Sequence, residues 1–244
     1  MPFNDLQARC EEGQRQLMQT NYLDAERILA SAEADAWADR DFDTLSRLYM
    51  PLQEARRQRR QTCGEGIVCL DLLAESPGDQ LSGQHIVENF SHGQLLVAGW
   101  GTIEPAITLR RLQQRHALYL ETFLGAVYPL DTGPVVVIVP LENDRLPDAS
   151  TRTRDELIAK LPPNCLIMSP AELPAGRHKG DTRTFAQVSA IWERLHAPFL
   201  SSALSEQDPL RKIQACRRTI AVDYACELAH QHASAAARQL ARHR

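Results

Sequence analysis

The sequence predicts an α/β protein, with a small parallel sheet of about four strands, helices on both of its faces, and helical segments at either end. Three observations predict it. Residues 1–62 carry apolar side chains at helical spacing, and residues 66–169 alternate short branched apolar runs with amphipathic stretches. Residues 209–242 then return to a helical pattern opened by an acidic residue and a proline. The rhythm changes at residues 63–66, so the expected division is a helical region over 1–62, an α/β domain over 63–203, and a helical segment over 204–244 that packs on the others.

The amino-terminal helices come first. Residues 4–19 place Leu6, Cys10, Leu17 and Met18 in one candidate helix, and Asn21 suits the turn that follows. Over 22–38, Ala25, Ile28, Leu29 and Ala32 follow the i, i+3, i+4, i+7 pattern of one buried face. Asp41 is placed to cap a third helix carrying Phe42, Leu45, Leu48 and Tyr49. Pro51 falls inside it and is expected to kink or restart it, because proline lacks an N–H and crowds the preceding turn.

Four apolar runs follow, at 66–73, 95–100, 135–141 and 165–168, and read as buried parallel strands. Between and after them lie helices at 81–90, stopped by His92 and Gly93, and at 105–127, with Leu109, Leu112, His116, Leu120 and Phe123 along one stripe. Thr153 and Glu156 form a capping box for a helix ending near Leu161, and residues 184–200 supply the last helix of the domain. Four successive strand–helix units imply parallel strands with crossover connections. From Asp208 and Pro209 one long helical segment is expected to about residue 242. Its alanine-rich face (Ala221, Ala225, Leu228, Ala229) allows close packing beside the amino-terminal helices.

Gly13, Ala25, Leu29 and Ala32 also have the small-small-large-small spacing of a tetratricopeptide repeat, with Asn21 and Tyr22 where its inter-helix turn would lie. The amino-terminal hairpin therefore resembles that family over about 50 residues. Arg9 and Glu12 occupy positions where the repeat has apolar residues, and Trp37 stands where it has proline. The resemblance implies a peptide-binding or scaffold role for a concave helical face. Stacked repeats need about three units to bury a continuous core, and one and a half are present, so these helices must dock on something else.

Composition narrows the function. Apolar residues make up 43% and charged residues 24%, ordinary for a soluble globular chain. No apolar run approaches the ~20 residues of a membrane span, and no signal-peptide pattern opens the sequence, so a cytoplasmic protein without a membrane partner is expected. The six cysteines have no paired metal or redox spacing and read as reduced, buried thiols. Residues 63–208 hold 11 basic and 18 acidic side chains, whereas 209–244 hold 7 and 2. Arg238, Arg242 and Arg244 in the tail, and the run Arg56, Arg57, Arg59, Arg60, sit at helix ends where cations complement the macrodipole. Without interleaved aromatic residues they read as solvated ends, which argues against nucleic-acid binding.

Ligands of open α/β sheets bind beyond the carboxyl ends of the strands. The candidate ligand-binding residues there are Asp71, Gly99, Gly101, Thr102, Glu142, Asp144, Arg177, His178 and Lys179. The Gly99–Thr102 stretch lets backbone approach a ligand ahead of a helix, although the third glycine of a dinucleotide fingerprint and a Walker lysine are missing. Asp71, Glu142 and Asp144 are oxygen donors of the kind that bind Mg²⁺, or carboxylates awaiting an arginine. Asp223, Cys226 and His230 share a helical face but match no zinc spacing, so no metal site, catalytic residue or cofactor is assigned. His116, on an apolar stripe, reads as a core or interface histidine. The sequence thus favours a non-enzymatic protein whose helical arms contact a protein partner or a second copy. A small anionic metabolite or nucleotide at the strand ends is the alternative.

Overall fold

The computed structural model describes residues 3–242. Met1, Pro2, His243 and Arg244, and so the last arginine of the basic tail and the first residues of the chain, lie outside the described residues. The chain divides into two compact units. One comprises Met1–Gln61 with His196–Arg244, and the other Thr62–Leu195. Among the described residues no helix is long and apolar enough to cross a membrane.

The helical unit begins with α1 (Phe3–Met18), α2 (Tyr22–Ala38) and α3 (Phe42–Glu65). Gly13 is needed where α1 meets α2, since a Cβ there would fall 2.6 Å from the Leu29 side chain. Asp41 caps α3, its carboxylate accepting from the Thr44 N–H at 3.1 Å. Pro51 lies within α3, which runs on to Glu65 without the restart expected from sequence. The two junctions are built alike. Thr20 (φ 63°) and Arg40 (φ 54°) are left-handed, and the next residues, Asn21 and Asp41, donate back to the carbonyls of Gln16 and Ala36 at 3.0 and 2.8 Å. This is the Schellman closure, made here without glycine.

The α/β unit carries β1 (Ile67–Leu73), α4 (Gly83–Asn89), β2 (His92–Trp100), α5 (Glu104–Arg115), β3 (Tyr119–Leu130), β4 (Gly133–Val139), α6 (Arg154–Lys160), β5 (Leu166–Met168) and β6 (His178–Lys179). Then α7 (Thr182–Ser205) passes from this unit into the helical one, which α8 (Pro209–Val222) and α9 (Glu227–Arg242) complete. The sheet has six strands in the order β5-β4-β3-β2-β1-β6. β1, β2 and β3 are parallel, while β4, β5 and β6 each pair antiparallel with a neighbour.

The sheet therefore corrects the four-stranded parallel layer read from sequence. Residues 105–127 are not one helix: α5 stops at Arg115, and β3 occupies the centre of the sheet. His116 is the exposed residue that ends α5, not a core histidine. Leu130 pairs directly with Gly133 across Asp131 and Thr132. So short a link permits only an antiparallel hairpin, because a parallel return needs a dozen or more residues, and β4 runs opposite to the direction expected. The long final helix is also divided, at residues 223–226.

Two cores follow from these elements. In the α/β unit, Leu95, Val97, Leu120, Leu124, Tyr128, Val135 and Val137 pack with Ile86, Ile107, Leu109 and Leu157 from α4, α5 and α6. The alternate side chains fill the other face, where Phe123 meets Trp192 of α7 at 4.3 Å between ring centroids. In the helical unit, Leu29, Leu45, Leu48, Tyr49 and Leu52 pack against Ile213, Cys216 and the small stripe Ala229, Ala233, Ala236 and Ala237 of α9. An L-residue held at positive φ costs about 1 kcal/mol relative to glycine. Arg40→Gly is therefore expected to raise the stability of the chain by about that amount, read as a higher urea midpoint at unchanged slope.

Candidate functional site

The nine residues chosen from the sequence do not meet in one place. Gly99, Gly101 and Thr102 lie at the carboxyl end of β2, but protein atoms already fill the space beside them. A Cβ on Gly101 (φ 61°) would stand 2.6 Å from that of Ala149, and one on Gly99 would stand 2.7 Å from the Thr102 carbonyl oxygen. The Thr102 hydroxyl accepts from the Glu104 N–H at 3.2 Å, at the start of α5. Asp71 sits at a bulge between Cys69 and Leu72, where β1 gains a residue relative to β2. Its carboxylate accepts from the Gly176 N–H at 2.5 Å and the Cys69 thiol at 3.2 Å, tying β1 to the chain that leads into β6.

Arg177, His178 and Lys179 do not close over the strand ends. His178 and Lys179 pair with Val68 and Ile67 near the start of β1, and the Arg177 guanidinium lies 4.3 Å above the Phe90 ring. Glu142 and Asp144 follow β4, whose reversed direction puts them at the opposite end of the strands from Gly99. Glu142 accepts from Arg110 at 3.1 Å, and Asp144 accepts from the Leu141 N–H at 3.2 Å. Partial burial raises the Asp144 carboxyl above its ordinary range. These carboxylates hold turns and an arginine, so the strand ends supply no assembled anion or Mg²⁺ site from the predicted residues.

The helical unit holds what the sequence reading missed. Arg56, Arg59 and Arg60 share one face of α3 and are largely buried. Arg56 and Arg59 donate to Glu26 of α2 at 3.2 and 2.7 Å, and Arg60 donates to Asp223 at 2.8 Å. Asp223 is also bonded to His196 Nδ1 of α7 at 2.6 Å. Arg59 and Arg60 both lie over the Tyr224 ring. Although burial opposes it, the carboxyl of Asp223 is held down to about 2 by Arg60 and His196. His196 feels the same burial, but its bond to Asp223, with Cys226 nearby, lifts it to about 9.

His230 behaves differently. Arg56 Nη1 lies 3.1 Å from His230 Nε2 and can only donate, so that nitrogen accepts and Nδ1 carries the proton, bonded to the Cys226 carbonyl at 2.9 Å. Burial, with Arg56 beside it, pushes His230 down to about 4 and keeps it neutral. Asp223 is thus held by Arg60 and His196, and His230 by Arg56 and the Cys226 carbonyl. Among the described residues no group of three or more His, Cys, Asp or Glu side chains is placed to hold a metal ion.

A groove of about 660 Å³ opens elsewhere on the same unit. Its lining includes Trp37, Phe199, Glu206, Arg211, Arg217 and Arg218. Arg211, Gln214 and Arg218 are spaced i, i+3, i+7 on the solvent side of α8 and are exposed. Arg217 is already engaged, bonded to Glu33 at 2.8 Å and lying over the Trp37 ring at 4.7 Å. Among the described residues the guanidinium groups of Arg211 and Arg218 have no carboxylate partner. The groove is therefore an aromatic floor beside two arginines that make no ion pair among the described residues, with the Glu206 carboxylate also in its lining. The excess of basic residues after 208, read from the sequence as solvated helix ends, was the one local trace of it.

Two expectations follow for the buried charges. Asp223→Ala strands Arg60 and His196 without their anion and is expected to cost about 3–5 kcal/mol in chemical denaturation. Between pH 6.5 and about 4 the unfolded chain protonates His230 while the folded chain resists, so stability falls as the solution is acidified through that window. The raised His196 adds stability that is complete below pH 6.5 and fades as pH rises through about 9. The melting temperature should peak near pH 6.5, and His230→Asn should flatten the acid limb alone. No protein family, no curated protein and no solved structure matches this chain.

Proposed function

We propose that the helical unit is a non-enzymatic protein-interaction module whose α8 groove receives an acidic segment of a partner protein. The observation that carries this reading is the pairing of an aromatic floor, Trp37 and Phe199, with the free charges of Arg211 and Arg218. Charge complementarity selects an acidic occupant, and the aromatic rings supply the apolar contact that anchors it. The dimensions favour an extended segment over a small metabolite. Residues 211–221 of a helix span about 15 Å, the length of four or five extended residues. Metabolite sites converge a few buried polar groups on their ligand, whereas these arginines are exposed along one line. The tetratricopeptide-like spacing of the amino-terminal hairpin agrees with a role in holding polypeptide.

The test uses the full chain and a fluorescein-labelled peptide alternating glutamate with leucine, followed by anisotropy. The peptide is expected to bind with an affinity that falls as salt rises. The double reversal Arg211→Glu/Arg218→Glu is expected to weaken binding about tenfold or more, since each 1.4 kcal/mol of lost interaction is a factor of ten. Both side chains are exposed, so circular dichroism should be unchanged. Failure of the wild-type chain to bind, equal binding by the double variant, or complete displacement of the peptide by inorganic phosphate would each overturn the reading. Salt-sensitive self-association of the wild-type chain in sedimentation, abolished by the double variant, would make a second copy the occupant and overturn it as well.

A further inference from the structure

The α8 groove holds unpaired charges of both signs. Arg217 is neutralised by Glu33 at 2.8 Å, but Glu206, Arg211 and Arg218 make no ion pair among the described residues. Glu206 lies between α7 and α8 and is only partly exposed. Its Oε1 accepts from the Gln207 N–H at 2.8 Å and from the Asp208 N–H at 2.9 Å, which pins the carboxylate to the backbone just ahead of α8. Asp208 is itself spent as the cap of α8, accepting from the Arg211 N–H at 2.8 Å. The charges of the groove therefore have an order along α8. A fixed carboxylate stands at the amino end, Arg211 follows in the first turn, and Arg218 comes two turns later. At the rise of an α-helix, Arg211 lies about 5 Å beyond the backbone that holds Glu206, and Arg218 about 10 Å beyond Arg211.

We infer that Glu206 sets the charge order of the segment the groove receives: a basic residue faces Glu206, and acidic residues beyond it face Arg211 and Arg218. On the reading of the groove as a protein-interaction site, Glu206 narrows the partner from any acidic segment to one with a lysine or arginine at one end. A wholly acidic segment presses a carboxylate against Glu206, which cannot swing aside without giving up two backbone N–H groups. Like charges in contact reject a wrong partner as opposite charges select the right one. At about 3.3 Å per extended residue, the basic side chain falls one or two residues from the first acidic one, and the two acidic ones fall three apart. The order Lys-Leu-Glu-Leu-Leu-Glu meets both separations and leaves leucines for the Trp37 and Phe199 rings.

Two peptides test this, Lys-Leu-Glu-Leu-Leu-Glu and Glu-Leu-Glu-Leu-Leu-Glu, each acetylated and carrying fluorescein on a Gly-Ser linker after the last glutamate. Both are titrated with the full chain by anisotropy at one low salt concentration. The lysine peptide is expected to bind about fivefold more tightly, the scale of one favourable exposed ion pair. Glu206→Gln keeps an oxygen that accepts from both N–H groups, so its circular dichroism and melting temperature should match the wild type. In that variant the all-acidic peptide is expected to gain until the preference vanishes or reverses. Should the variant lose helicity, the wild-type ranking decides alone. Equal binding of the two peptides by the wild-type chain, or tighter binding of the all-acidic one, overturns the role of Glu206 while leaving the groove an interaction site. So does a lysine preference that survives in a folded Glu206→Gln chain. Failure of the wild-type chain to bind either peptide overturns both.

Discussion

Three arginines on one and a half turns of α3 impose the governing constraint on the helical unit. Positions 56, 59 and 60 fall on the same face of a helix, so burying one buries all three. A buried guanidinium is tolerated only with an anion and hydrogen bonds around it. Glu26, 30 or more residues before, and Asp223, more than 160 residues after, meet that demand. The rest of the unit is packed through small and aliphatic side chains, such as the alanine stripe of α9, which bind without strong preference for position along the helix. The ion pairs supply the missing preference. They tie α2, the start of the second half of α7 and the α8–α9 junction to one stretch of α3.

The same cluster marks the limit of what periodicity reveals. Arg56, Arg59 and Arg60 look like a solvated helix end because their partners are distant in sequence. Elements announced by local chemistry were legible: α2 from its apolar spacing, α6 from the Thr153 cap, α8 from Asp208 and Pro209, and four strands from branched apolar runs. β3 was hidden because Leu109, Leu112, His116, Leu120 and Phe123 continue a helical stripe across the boundary. No glycine or proline marks the break, which is made by Ala117 at φ 48°. The aromatic and branched residues Tyr119, Thr122, Phe123, Val127 and Tyr128 were the competing signal for a strand.

That single omission propagated to the site. Inserting β3 reverses β4, and reversing β4 carries Glu142 and Asp144 to the other end of the strands. Glycines chosen for their freedom to approach a ligand turn out to be required by Ala149 and by the Thr102 carbonyl. The chemistry that remains unspent lies in the helical unit instead, on exposed arginines and at a helix junction. Neither is visible without knowing which residues of the two chain ends become neighbours.

Because the helical unit is assembled from two stretches on either side of the α/β unit, its construction is tied to the order of synthesis. Residues 62–195 are contiguous, so every strand of the sheet has left the ribosome before α8 exists. During that interval α1, α2 and the first part of α3 wait with Leu29, Leu45 and Leu48 unprotected, and Arg60 waits without Asp223. The nascent chain therefore carries an unfinished, greasy helical surface until α8 and α9 have been made.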